Sequence, residues 1–285
     1  MTIITEVITL TDATGTSLSL AALPRRIISL VPSVTDTVFA LGAGDRLVGI
    51  TRYCAHPEDA RLRLPVVGGT KSPRIEAIRE LRPDLVLANQ EENGREDVHA
   101  LRRSVPVYVA FPRSVPEAIV EIRRLGMLLG REVAAHRLAG ELTFQLHRLR
   151  EQARRRRPFR YLYLIWRRPY MAAGPGTFID AFFREGGGEN ALPLSSERYP
   201  GLEASDIDAA RADAVLLSSE PYPFTEDHVG ELMRSIKEGS RLKKRTLLVD
   251  GELLSWHGAR LRRGMPYLSR LAAEIVARGR LQPAE

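Results

Sequence analysis

Residues 24–42 read Pro24-Arg-Arg-Ile-Ile-Ser-Leu-Val-Pro-Ser-Val-Thr-Asp-Thr-Val-Phe-Ala-Leu-Gly42. Ile27-Ile-Ser-Leu-Val31 has the β-branched content of a strand, Pro32-Ser33 breaks it, and helical periodicity runs from Asp36 to Leu41 before Gly42. This unit, an apolar run, a polar turn and an amphipathic helix, recurs to about residue 125. Leu47-Val-Gly-Ile50, Asp84-Leu-Val-Leu-Ala88 and residues 105–110 are further strands. Ser72 reads as an N-cap with Pro73 at the first helical position, leading Ile75, Ile78 and Leu81 on one face. Such alternation predicts a mainly parallel sheet with crossover helices. Upstream, residues 7–10 and 18–20 flank Asp12-Ala-Thr-Gly15 and read as a hairpin.

From residue 115 to 157 the strand signal disappears. Leu138, Leu142, Leu146, Leu149 and Ala153 form one helical stripe without proline. A helix over 132–155 is roughly 35 Å long, about a domain diameter. The βα pattern then resumes with a strand at 161–166, a helix at 177–184 ended by Gly186-Gly-Gly188, strands at 214–217 and 246–249, and a terminal helix at 266–278. The expected organisation is an N-terminal α/β lobe (1–125), a connecting helix (126–157) and a C-terminal α/β lobe (158–285).

The 285 residues are 44% hydrophobic and 27% charged, a globular composition, and no run approaches the roughly 20 apolar residues of a membrane helix. The single cysteine, Cys54, excludes an internal disulfide, a four-cysteine zinc site and a cysteine-ligated cluster. The net charge is +7, and all but four of the 42 basic residues are arginine. The one basic block, Arg154 to Arg157, closes the long helix and reads as a solvated helix end rather than a nucleic-acid contact. The six histidines are scattered without ligand spacing, so no metal site made of protein ligands is expected. Gly174-Pro-Gly176 lacks the remaining glycines or lysine of a phosphate loop and reads as a tight turn. Glu91, Glu92 and Glu220 have no nucleophile or partnering histidine at readable spacing, so no catalytic constellation is expected and the chain reads as a non-enzyme. Met1-Thr-Ile-Ile-Thr-Glu6 shows no secretory signal, which predicts a cytoplasmic protein as written, or a periplasmic or cell-surface one if an upstream signal was missed or removed.

Pro24 to Ser33, Gly44-Asp-Arg-Leu-Val-Gly-Ile50, Ile75-Glu-Ala-Ile-Arg-Glu-Leu-Arg-Pro-Asp-Leu-Val-Leu87 and Gly186-Gly-Gly-Glu-Asn190 together resemble the substrate-binding proteins that deliver cobalamin, ferric siderophores or haem to ABC importers. The resemblance runs from about residue 9 to 271. It implies two Rossmann-like lobes with mainly parallel sheets joined by one long backbone helix, and a ligand between them. The implied cargo is a metal chelate, with no intrinsic cofactor, and the implied partners are the importer's membrane subunits. A monomer is expected. Loops at the carboxyl ends of parallel strands are where open α/β sheets bind ligands. The expected ligand-binding residues are therefore Ser33, Tyr53, Thr70, Asn89, Gln90, Trp166, Tyr170, Trp256, His257 and Arg260. Tyr53 matches a tyrosine that contacts the corrinoid in cobalamin-binding relatives. Two tryptophans of those relatives fall here on Thr70 and Asn89, and Trp166 and Trp256 are expected to supply aromatic area from the other lobe. Glu76 matches a glutamate that docks onto importer arginines. Its second-lobe equivalent falls on Ser205, with Asp206 adjacent and Glu203 nearby as candidate docking acids. The alternative is an intracellular corrinoid or tetrapyrrole carrier, or an enzyme, on the same fold.

Overall fold

The computed structural model describes residues 7–194, 197–235 and 245–280. The chain divides into two compact units. The first holds Met1–Pro112, Pro116–Glu141 and His257–Arg260, and the second Arg113–Val115, Leu142–Trp256 and Leu261–Glu285. The terminal region thus lends four residues to the first unit.

In the first unit, β1 (Ile8–Thr11) and β2 (Ser17–Leu20) form the predicted antiparallel hairpin. β3 (Ile27–Ser29), β4 (Leu47–Ile50), β5 (Leu85–Asn89) and β6 (Val107–Ala110) form a fully parallel sheet in the order β4-β3-β5-β6. Its helices are α1 (Pro32–Ala40), α2 (Ala60–Arg63), α3 (Ile75–Glu80), α4 (Arg95–Arg102), most of α5 (Val115–Leu128) and the start of α6 (Glu132–Arg154). Ile28, Leu30, Ile78, Val86, Leu101 and Val109 are buried together as the core. Burying each such side chain is worth about 1.5–3 kcal/mol against leaving it in water. Asp12 ties the hairpin to this body. Its carboxylate pairs with Arg102 and accepts the Val109 N–H at 3.2 Å, while Ala13 donates to the Val109 carbonyl at 2.9 Å.

Up to and including α6, three boundaries differ notably from the sequence reading. Pro32-Ser33 does not precede α1 but begins it, with Pro32 in the first turn and Val31 as the cap. Pro73, read as a helix start, is instead bridged to Gly68, so α3 begins only at Ile75. The helix read from residue 126 begins at Glu132, because Gly130 turns the chain through φ +56° after α5. The boundary between the two units falls inside α6, whose Leu138, Leu142, Leu146 and Leu149 are all buried.

In the second unit, β7 (Phe159–Trp166), β11 (Ala214–Ser218) and β12 (Thr246–Val249) run parallel. β8 (Tyr170–Ala172) and β10 (Gly201–Leu202) continue the sheet antiparallel, and β9 (Gly188–Asn190) pairs parallel to β7. α7 (Phe178–Glu185), α8 (Ala204–Ala209), α9 (Glu226–Ser235), α10 (Gly251–Ser255) and α11 (Leu261–Arg280) surround it. Thr177 caps α7 by accepting the Asp180 N–H at 3.1 Å, and that helix stacks Phe183 on Tyr161 at 4.2 Å. The terminal helix starts five residues before the predicted Pro266, which lies inside α11. Among the described residues no helix is long and apolar enough to cross a membrane.

Candidate functional site

Each unit presents its own face at the carboxyl ends of its parallel strands. In the first, the chain leaving β4 is anchored by buried Cys54, whose Sγ lies 3.1 Å from Thr35 Oγ1 and 3.3 Å from Thr51 Oγ1, and burial pushes the thiol's pKa up. This anchor leaves the preceding Tyr53 56% exposed. Its ring edge lies against Gly69, where a β-carbon would stand 3.2 Å from Cε2. Thr70, Asn89 and Ser33 are buried and Gln90 is exposed. They form a face of neutral donors and acceptors beside one exposed ring.

Asn93, which sequence reasoning did not single out, holds this face together. Its Oδ1 accepts the Asn89 N–H at 2.8 Å, and its Nδ2 donates to the Thr70 carbonyl at 2.9 Å and the Leu30 carbonyl at 3.4 Å. One buried amide therefore spans the chain after β3, the Thr70 loop and the end of β5. An Asx pattern was visible in Asn89-Gln-Glu-Glu-Asn93, but the two distant partners, the Thr70 and Leu30 carbonyls, were not.

His257 sits on the same unit, not on the C-terminal one as the sequence suggested. Its Nε2 is 3.4 Å from both Ser33 Oγ and Asn89 Nδ2. Asn89 Oδ1 accepts from the Glu91 and Glu92 N–H groups, so the amide's NH2 end faces the ring. Nε2 is then an acceptor, and the network assigns the ring proton to Nδ1. Burial pushes the imidazole pKa down to about 4, so the ring is neutral. The next residues lock the segment onto α1. Gly258 has φ +77°, and a β-carbon there would stand 2.2 Å from Thr37 Oγ1, the hydroxyl that accepts the Ala259 N–H at 3.0 Å. Arg260, expected to reach a ligand, is buried with its Nε 3.3 Å from Asp36. Its charge is used within the fold.

In the second unit, Trp166 ends β7 42% exposed and meets Tyr222 edge-on at 5.6 Å. Tyr222 also packs against Phe224 at 4.9 Å and His228 at 5.3 Å. His228 Nδ1 accepts the Thr225 N–H at 2.9 Å, so Nε2 donates to the Tyr222 hydroxyl at 3.1 Å. Arg167 donates to that hydroxyl at 3.2 Å and pairs with Glu231, which Arg168 also reaches at 3.1 Å. These hydrogen bonds pull the Glu231 pKa down to about 2. Tyr222, His228 and Glu231 were missed because their spacing carries no motif. Tyr170, half-buried at the start of β8, has its pKa raised by burial. Trp256 is buried and gives its indole N–H to Glu220 at 2.7 Å, so its polar edge is engaged. The expected aromatic set is thus divided, with Tyr53 and His257 on one unit and Trp166, Tyr170 and Trp256 on the other.

Of the docking candidates, Glu76 lies in the first turn of α3, its side chain 77% exposed and paired with Arg79 at 2.7 Å. Glu203 and Asp206 are exposed, and they form the reciprocal capping box of α8. Among the described residues no group of three or more His, Cys, Asp or Glu is arranged to hold a metal ion.

The sequence profile described as "Periplasmic binding protein" matches residues 27–237. The vitamin B12-binding protein of Vibrio cholerae is 28% identical over 205 residues, 72% of this chain and 71% of that one. The periplasmic heme-binding protein RhuT from Roseiflexus sp. RS-1 superposes with a TM-score of 0.77 at 25% identity, covering 89% of this chain and 98% of that one. The periplasmic heme-binding protein BhuT, solved with two hemes, gives 0.76 at 26% identity over 88% and 98%. With the profile spanning most of its length and both units built as described, the chain belongs to the periplasmic binding protein family.

Proposed function

We propose that the chain is the extracytoplasmic binding component of an ABC importer and that its cargo is a bulky, partly planar metal chelate of the corrinoid, haem or ferric-siderophore class. The observation that carries this reading is that both a vitamin B12-binding and heme-binding proteins match the chain over seven- to nine-tenths of its length. The faces are suited to such a cargo. Tyr53 and Trp166 offer exposed rings for a flat macrocycle, and Ser33, Thr70, Asn89 and Gln90 offer neutral hydrogen-bonding groups for its periphery. The family favours this over an intracellular carrier or enzyme, and it supports a location outside the cytoplasm. In this reading α6 is the connecting helix, no cofactor is resident, and Glu76 with the Glu203–Asp206 pair meets the membrane subunits.

Cyanocobalamin, haemin and a ferric catecholate, titrated separately, test the proposal by absorbance and tryptophan fluorescence. Trp166 and Trp256 are the two tryptophans, so Trp166→Phe and Trp256→Phe separate their signals. At least one chelate is expected to bind at micromolar concentration or tighter, with quenching carried mainly by exposed Trp166. Binding by none of the three at that level sinks the reading.

A further inference from the structure

A groove of about 300 Å³ lies within the second unit between α6 and α11, its floor formed by Leu149 and Met265. Arg148 stands on the α6 rim and Arg270 on the α11 rim, and no carboxylate lines the groove. Among the described residues neither arginine has a hydrogen-bond or ion-pair partner, as is also true of Arg137 and Arg263 outside the groove, whereas Arg150 pairs with Glu185 at 2.5 Å, Arg154 with Glu151 at 2.5 Å and Arg278 with Glu274 at 2.6 Å.

The neutral lining is equally uneven. Gln145, on the same wall, has a buried Oε1 with no partner. An acceptor left unsatisfied in this way is destabilising, because it has lost its water without gaining a donor. Ser269 Oγ donates to Gln152 Oε1, which turns the Gln152 NH2 away from that bond as a spare donor. Behind the wall, Arg156 is braced against the Gln152 and Ser269 carbonyls at 3.1 and 2.6 Å, and its Nη2 is buried and unsatisfied. The groove therefore combines two uncommitted guanidinium forks, a third positive charge behind them, one spare amide donor and one orphaned acceptor.

We propose that this groove is a second ligand site that binds a small phosphate monoester bearing a hydroxyl, such as a polyol phosphate. Two guanidinium groups facing one space suit the several oxygens of a phosphate dianion, since each fork binds oxygens in pairs. Gln145 lines the groove with its Oε1 turned into the protein, and once its side chain rotates outward that oxygen accepts the ester's hydroxyl, while Leu149 and Met265 pack its carbon chain. The volume lies at the lower end of small-molecule pockets. The site stands apart from the cargo reading.

Calorimetry on the full chain at low ionic strength tests it with glycerol 3-phosphate and inorganic phosphate. Glycerol 3-phosphate is expected to bind several-fold tighter than inorganic phosphate. The Arg148→Ala/Arg270→Ala double variant loses at least tenfold for both, and Gln145→Leu removes only the difference between them. Arg263→Ala, an exposed arginine outside the groove, binds as the wild type does. Sedimentation with phosphatidic acid vesicles, competed by glycerol 3-phosphate, distinguishes a lipid headgroup from a free ester, and binding of either supports the site. Undetectable binding of every probe at millimolar concentration overturns the proposal. So does undiminished binding by the double variant, or an equal loss in Arg263→Ala, which would mean diffuse charge rather than a site.

Discussion

At neutral pH the His257 ring is uncharged, because burial takes its pKa from 6.5 to about 4. The unfolded chain takes up this proton near pH 6.5, so the stability tied to the neutral ring is complete above that pH and is lost as pH falls toward 4. The slope is at most about 1.4 kcal/mol per pH unit. Glu121 acts in the opposite sense. Burial raises its carboxyl from 4.5 to about 6, with the Tyr108 hydroxyl and Arg124 only partly offsetting this, so its contribution is complete below pH 4.5 and is lost as pH rises through 6. Urea midpoints measured against pH are expected to show a flatter acid limb for His257→Gln and a gain above pH 6 for Glu121→Gln. Parallel curves for wild type and both variants contradict the assignment. Gly258→Ala combines a left-handed φ with a β-carbon 2.2 Å from Thr37 Oγ1, and is expected to cost about 1–3 kcal/mol. Thr37→Ala should relieve part of that cost in a double-mutant cycle. The exposed placement of Tyr53 after β4 was legible because an aromatic after a strand end is a local feature. Thr37 and Asn93 were not, since their roles depend on partners far away in the chain.

The elements were legible where periodicity sets them and obscure where one signal has two meanings. The α6 stripe repeats at helical spacing and gave its helix directly. Leu142, fully buried at its centre, is expected to cost about 2–5 kcal/mol on truncation to alanine, as measured by urea denaturation. A cost below about 1 kcal/mol would mean that the stripe is not packed. Ser–Pro and Pro–Ser pairs, by contrast, misled in both directions. Pro32 starts α1 because its missing N–H lies among the helix's unpaired first-turn donors, while Pro73 sits in a bridge to Gly68 that ends before α3 begins. The turn at Gly130 was hidden because Leu125, Leu128 and Leu129 before it and Ala135 and Leu138 after it keep a helical apolar spacing across it. Gly130→Ala tests that turn. Its φ of +56°, together with Leu23 Cδ1 only 2.7 Å from where the alanine β-carbon would stand, predicts a cost of about 1–2 kcal/mol in place of the gain expected inside a helix.

At the scale of the whole molecule, the lobe pattern was readable from alternating strands and helices, but the return of His257–Arg260 to the first unit was not, because nothing local marks it. The grouping changes unit between residues 112 and 113, 115 and 116, 141 and 142, 256 and 257, and 260 and 261. A chain that passes between its units this often is expected to unfold them together, since opening the first unit frees a segment whose two ends continue into the second. The protein carries a separate intrinsic probe for each unit. Trp166 and Trp256 both belong to the second, while Cys54, the only thiol, is buried in the first. Tryptophan emission and thiol reactivity followed through the same urea series are therefore expected to give coincident transitions, as a two-state process requires. Gly258→Ala, which loosens the shared segment, should move both midpoints down together. If thiol exposure precedes the fluorescence change in the wild type, the units unfold independently and the segment does not couple them. If Gly258→Ala shifts the thiol transition alone, the segment stabilises the first unit without transmitting that stability to the second.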